Sequence, residues 1–146
     1  MKNYLITATL LSAATSFAAP LSIVCEEDQR FDNGAFRELI LTPSNNGRYL
    51  LKTQHMESLN AANSSIQTLA ENLDCQVDGK APIAFCTNSD GQQVTISEVR
   101  RVFLSSLDAE KKTTEKRIEV RMEKGGAQSH FDSFNAASCG VRGGGN

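Results

Sequence analysis

Short runs of alternating apolar and polar residues recur along this chain and predict β-strands. In the clearest run, Lys116–Lys124, the apolar residues Ile118, Val120 and Met122 share one parity and charged residues share the other. Successive side chains of a strand point to opposite faces, so this run indicates an antiparallel strand with one buried and one solvated face. The same patterning predicts further strands at 21–25, 36–42, 48–54, 73–77, 83–86, 94–104 and 129–134.

Turn-forming residues separate these strands about every ten residues. The densest group is Pro43-Ser44-Asn45-Asn46-Gly47, in which proline presets φ while asparagine and glycine tolerate positive φ. The strands on either side of it are therefore expected to form a hairpin. Seven or eight short strands with this spacing predict a mainly β domain, either a small antiparallel β-barrel or a sandwich, with a meander-like order.

One stretch after the third strand fits a helix as well as a strand. Ile66, Leu69, Ala70 and Leu73 recur at the spacing of one helical face. The residues that follow alternate in the manner of a strand. A short helix near residues 57–70 is therefore an alternative to a strand here.

The sixth predicted strand changes the parity of its apolar residues part-way along. Val94 and Ile96 share one face, but beyond Glu98 the apolar Val99 and Phe103 fall on the other. Such a slip predicts a β-bulge, in which one extra residue re-aims the side chains that follow.

The first eighteen residues have the composition of a targeting segment. Met1-Lys2-Asn3 carries one positive charge, Tyr4–Ala14 is apolar but too short to span a bilayer, and Ser16-Phe17-Ala18 has a small-x-small pattern. Together these features indicate a secretory signal peptide over residues 1–18. We therefore expect cleavage near Ala18 and a secreted or periplasmic protein.

Four cysteines follow the signal, and an even number in an exported chain favours disulfide bonds. Three pairings are possible. We prefer Cys75–Cys86, which flank the Asp78-Gly79 turn, together with Cys25–Cys139, which would tie the first strand to the last segment. No Cys-x-x-Cys pair is present, so the cysteines do not predict a metal site.

Residues 19–139 have the length of a single disulfide-stapled domain. The glycine-rich residues 140–146 are expected to form a flexible tail. The net charge of −2 argues against a nucleic-acid partner, and no segment after the signal is apolar for long enough to span a membrane. A monomer is expected. The aromatic residues expected in the core are Phe31, Phe36, Phe85, Phe103, Phe131 and Phe134.

His130 and Asp132 are the only arrangement in the sequence that suggests catalysis. They lie two residues apart, so a strand would place both on one face, as in part of a hydrolase constellation. The sequence has no Gly-x-Ser-x-Gly motif, no phosphate-binding loop and only one other histidine, His55. No catalytic residue, cofactor or metal site is therefore predicted, and the protein is not expected to be an enzyme.

These observations predict a small exported β domain that acts by binding, and an inhibitor-like role is one version of this function. The expected partner is a protein or a small apolar ligand held inside the sheet. Two alternatives remain: a small secreted hydrolase that uses His130 and Asp132, and a structural component of the cell envelope.

Export and oxidation can be tested together by mass spectrometry of the protein recovered outside the cytosol. The mass is expected to correspond to a chain that begins at Ala19, because cleavage follows Ala18. Alkylation under denaturing, non-reducing conditions is expected to modify no cysteine. A chain that still carries Met1, or that alkylates at all of its thiols, would contradict the prediction.

Overall fold

The computed structural model describes residues 20–29, 35–56, 65–105, 107–108 and 110–143. The signal peptide, Phe31, residues 57–64 of the possible helix and residues 144–146 of the tail lie outside this part of the chain. The elements formed by the described residues are β1 (Leu21–Gln29), β2 (Ala35–Pro43), β3 (Tyr49–Met56), β4 (Ser65–Val77), β5 (Ala84–Thr87), β6 (Gln92–Leu104), β7 (Lys112–Lys124), β8 (Ala127–Asn135), a 3-10 turn η1 (Ala136–Ser138) and β9 (Cys139–Gly143).

The described strands form one antiparallel sheet with the order β8-β7-β6-β5-β4-β3-β2-β1-β9. Strands β1 to β8 are therefore a meander, and β9 returns to pair with β1. This confirms the predicted mainly β, antiparallel and meander-like class. The sheet is not closed by a ladder, but its two edge strands, β8 and β9, are consecutive in the chain and joined by η1. Within the described ranges, no helix is long and apolar enough to cross a membrane.

The sheet rolls around its own apolar face. Buried residues from each of the strands β1 to β8 pack together as one cluster, so the two ends of the meander must come close to each other. Burial of these side chains is the main favourable contribution to folding. The cluster consists of Ile23, Cys25, Leu39, Leu41, Leu51, Ala70, Leu73, Ala84, Cys86, Val94, Ile96, Ile118, Val120, Met122 and Phe134.

The helical alternative is wrong for residues 65–70, which belong to β4. The pairing of β4 with β3 is interrupted by two register shifts, and Asn72 of β4 adopts a positive φ of 53°. Each extra residue in a strand changes the parity of the residues after it. Ala70 and Leu73 can therefore both face the core although they are three residues apart, and this spacing imitates a helix.

The bulge predicted near Glu98 is also wrong, because β6 and β7 pair without a register shift along their whole length. The ladder between β5 and β6 ends at Ile96, so β6 leaves the core beyond this point. Its later residues have no buried face to define a parity. Val102, Phe103 and Leu104 are accordingly 61%, 45% and 63% exposed.

The C-terminal residues differ from the predicted tail. Residues 140–143 continue the sheet as β9, which pairs with β1 from Cys25↔Cys139 to Leu21↔Gly143. The side chain of Val141 also packs against the core cluster. These contacts give the segment an ordered position that its glycine content does not indicate.

Two disulfide bonds join residues that lie directly opposite each other in the sheet. Cys25–Cys139 links β1 to β9, and Cys75–Cys86 links β4 to β5. These are the pairs that the sequence favoured. The sequence separations are 114 and 11 residues.

The longer disulfide loop is expected to contribute more to stability than the shorter one. In the chain-entropy model, loops of these lengths contribute roughly 5 and 3 kcal/mol. The double variant Cys25→Ser/Cys139→Ser should therefore lower the urea unfolding midpoint more than Cys75→Ser/Cys86→Ser does. The reverse order, measured by circular dichroism under oxidising conditions, would show that loop length does not decide the effect.

Candidate functional site on the outer face of β6, β7 and β8

His130 and Asp132 lie on the same face of β8 as the buried Phe134. The Asp132 carboxylate accepts hydrogen bonds from Nη1 of Arg37 and, at 2.9 Å, from the backbone N–H of Ser133. The Nε2 atom of His130 is buried and has no hydrogen-bond partner among the described residues. Asp132 is thus held by an arginine, and it does not orient the histidine as a catalytic carboxylate does.

Arg37 links the edge strand β8 to β1 across the inner side of the rolled sheet. Its Nη2 atom donates to Oε2 of Glu27 on β1 at 2.5 Å and to the carbonyl oxygen of Ser133 on β8 at 2.7 Å. The guanidinium also lies 4.4 Å from the ring centroid of Phe134. Charge-assisted bonds of this kind are stronger than neutral ones, so Arg37 holds together strands that no ladder joins.

Glu27 is the second charged centre of this junction. Its Oε1 atom accepts a hydrogen bond from the backbone N–H of Asn135 at 2.6 Å and lies 3.9 Å from Nη2 of Arg117. Burial raises the pKa of Glu27, but the hydrogen bonds from Asn135 and Arg37 and the charges of Arg37 and Arg117 together outweigh it. The pKa therefore lies below its ordinary value of 4.5, and the folded protein favours the charged carboxylate.

The opposite side of the same strands carries an open groove of about 430 Å³. It crosses β6, β7 and β8 on the face that points away from the core. Its lining residues are Arg101, Phe103, Glu115, Arg117, Glu119, Phe131 and Ser133.

The charged side chains in this groove are held by each other. Glu119 has a side chain that is 8% exposed, and its Oε1 atom accepts a hydrogen bond from Nε of Arg101 at 2.8 Å and a second from Nη2. Arg117 donates to Oγ of Ser133 at 3.1 Å and to its carbonyl oxygen at 2.9 Å. The charged groups of the groove are therefore paired within the protein, while its aromatic rings, Phe103 and Phe131, are exposed to solvent.

The prediction that six phenylalanines lie in the core is wrong for three of them. Phe85, Phe103 and Phe131 were expected in the core but are exposed, whereas Phe134 is buried and Phe36 is half-buried. One signal was present in the sequence: Phe131 and Phe134 are three residues apart in a strand and cannot share a face. Phe103 faces outward because β6 has no bulge, so that its odd-numbered residues stay opposite to the buried Val94 and Ile96.

Strands β6 and β7 extend past both of their neighbours. The described ladders stop at Ile96 on the β5 side and at Arg117 on the β8 side. Residues 97–104 of β6 and 112–116 of β7 therefore form a two-stranded projection, here called the ribbon, whose outer edges are unpaired in the described part of the chain. At its tip, Leu107 is 97% exposed.

The described residues contain no group of three or more His, Cys, Asp or Glu side chains placed to hold a metal ion. No protein-family model, no curated protein and no solved structure matches this chain.

Replacing the Glu27 carboxylate should weaken the junction between β8 and β1 in a pH-dependent way. Glu27→Gln is expected to lower the free energy of unfolding at pH 7 by about 1–2 kcal/mol, because charged hydrogen bonds are lost. A lowered pKa stabilises the fold above pH 4.5, and this contribution disappears as the pH falls through the folded-state pKa of Glu27. The difference from the wild type should therefore shrink towards low pH in urea titrations.

The matched control is Glu71→Gln, which removes an exposed carboxylate of β4. The effect of Glu71→Gln on the free energy of unfolding should be small at every pH, since the Glu71 carboxylate takes part in no ion pair among the described residues. A Glu27→Gln effect that stays constant from pH 7 to low pH would contradict the role assigned to the charged junction.

Proposed function

We propose that this protein is a non-catalytic binding protein and that it holds a protein partner with the groove and the ribbon. The carrying observation is the exposure of apolar side chains on both faces of this region. Phe103 and Phe131 lie beside the paired arginines of the groove, and Val102 and Leu104 lie on the opposite face of the ribbon. Protein interfaces are enriched in aromatic residues and arginine, and exposed apolar patches rimmed by polar groups mark interaction sites.

The state of the charged groups favours binding over catalysis. Asp132 is bonded to Arg37, and Glu119 is bonded to Arg101, so both carboxylates are already engaged by cations. A group that serves as a general base must instead reach a proton of its substrate. The hydrolase alternative therefore has no support from the placement of His130 and Asp132.

The packing of the interior favours a partner on the outside of the sheet. The inward-facing side chains contact each other as one cluster, whereas the groove on β6, β7 and β8 is open to solvent. This packing favours a protein partner over a small apolar ligand held inside the sheet. An inhibitor-like role is one form of this function, since a rigid projection can enter a partner's cleft.

The proposed location is outside the cytosol, in the periplasm or the surrounding medium. Two disulfide bonds support this location, because such bonds persist in oxidising compartments and are rare in the cytosol. The signal peptide over residues 1–18 remains a prediction from the sequence.

Site-specific photo-crosslinking tests the proposed function. A photoreactive phenylalanine analogue at Phe103 is expected to form a covalent adduct with one protein from the envelope or culture fluid of the producing cells. Phe85 supplies a matched control, because it is the same residue type and is 46% exposed, against 45% for Phe103. The analogue at Phe85 should give no such adduct.

A second variant removes the outer part of the ribbon without changing a residue of the core cluster. Replacement of residues 102–114 by Asn-Gly joins β6 and β7 by a tight turn and keeps the pair of Arg101 with Glu119. The melting temperature of this variant should stay within a few degrees of the wild-type value. The variant should no longer bind the partner protein that the crosslink identifies. Identical adducts from both crosslinking positions, or turnover of a substrate that requires His130, would refute the proposal.

A further inference from the structure

One face of the ribbon continues the inner face of the sheet beyond the core. Side chains alternate along a strand, and the even-numbered residues of β6 and β7 are the ones that face inward at Ile96 and Ile118. The even-numbered residues of the ribbon therefore share a face, here called the basic face. Its members are Glu98, Arg100, Val102, Leu104, Lys112, Thr114 and Lys116.

The basic face has an excess of cations although the whole chain has a net charge of −2. Its one carboxylate, Glu98, lies 3.6 Å from Nζ of Lys116. Arg100 stands directly opposite Lys116 in the ladder, and like charges in such positions are unfavourable. Among the described residues, Arg100 and Lys112 have no carboxylate partner. The pair of like charges does not stabilise the ribbon, whereas the carboxylates of an acidic partner would neutralise it.

The basic face lies beside an open sheet edge. Residues 97–104 of β6 have no neighbouring strand among the described residues on the side where β5 has ended. Half of their backbone N–H and C=O groups point to this side, because successive groups of a strand point in opposite directions. Folded proteins usually protect such an edge with proline, bulges, charged side chains or a covering segment. Ser97–Leu104 contains no proline and no register shift, and its inward-facing cation Arg100 opposes a basic strand but not an acidic one.

We propose that the open edge of β6 binds an extended acidic segment of the partner by strand addition. This inference rests on the proposed binding function and specifies the chemical character of the partner protein. The added backbone would pair with residues 97–104 and place carboxylates beside Arg100. Lys112 and Lys116 lie one strand further away and add to the positive field. Alternate apolar side chains of the segment would point to the opposite face of the ribbon, beside Val99 and Phe103.

Charge selects this occupant over two others. A second copy of the chain would bring two basic faces together, which is repulsive. An anionic membrane would meet Asp108 and Glu110 at the tip of the ribbon, close to Leu107. An acidic extended segment avoids both conflicts.

Fluorescence anisotropy with a defined peptide tests the proposal. The probe is a capped, dye-labelled peptide that alternates valine and glutamate over the length of residues 97–104. Binding is expected to be saturable and to weaken with added salt, since exposed charges are screened. A peptide that alternates valine and lysine should not bind.

Two matched changes separate charge recognition from strand addition. Arg100→Glu should weaken binding about ten-fold or more, because it replaces attraction by repulsion at the edge. Lys124→Glu reverses one charge at the other end of β7, outside the ribbon, and should change nothing. The valine–glutamate peptide methylated at every backbone nitrogen should not bind, because it cannot donate hydrogen bonds to the edge.

Each contrary result overturns a stated part of the inference. Equal binding of the methylated peptide would exclude strand addition, and equal binding by Arg100→Glu would exclude the basic face. Absence of peptide binding, with concentration-dependent dimers in sedimentation or uptake by phosphatidylglycerol vesicles, would assign the surface to a second copy or a membrane. Absence of peptide binding with the Phe103 adduct intact would overturn the acidic strand alone and leave the proposed function standing.

Discussion

The joining of the two ends of the meander is the interaction on which the rest of the structure depends. In the described sheet, β8 pairs only with β7 and β9 pairs only with β1, so neither edge is held by the other through a ladder. The bond Cys25–Cys139 fixes β9 where it begins, and Arg37 draws β8 towards β1 through Glu27. Together they keep the first and last strands of the core around the same apolar cluster.

The ribbon contributes no side chain to the apolar cluster that this closure encloses. The core cluster is complete between β1 and β8 and contains no residue of 97–104 or 112–116. The sequence of the ribbon is therefore free to specify contacts with other molecules. Local conflicts with foldability, such as Arg100 opposite Lys116 and the exposed Leu104, are expected where function rather than stability decides the residues.

The sequence predicts those features that depend on alternation within one strand. The buried face at Ile118, Val120 and Met122 follows from parity alone, and the hairpin around residues 43–47 follows from the turn-forming residues at its centre. What it misses depends on neighbours that are distant along the chain. The positive φ of Asn72 shifts the parity of β4, and the pairing of β9 rests on β1, at the other end of the chain. The candidate groove was missed because the bulge predicted near Glu98 would have turned Phe103 inward, whereas the unshifted pairing of β6 with β7 keeps Phe103 on the outer face.

The order in which the cysteines leave a ribosome or a translocon has a consequence for how the protein matures. Cys25 emerges first, and its partner Cys139 emerges last of the four, 114 residues later. Cys75 and Cys86 become available together during that interval. A nascent chain oxidised too early would therefore couple Cys25 to the wrong sulfur. Correct maturation requires either that Cys75 and Cys86 join each other quickly or that an isomerase reshuffles the mispaired species.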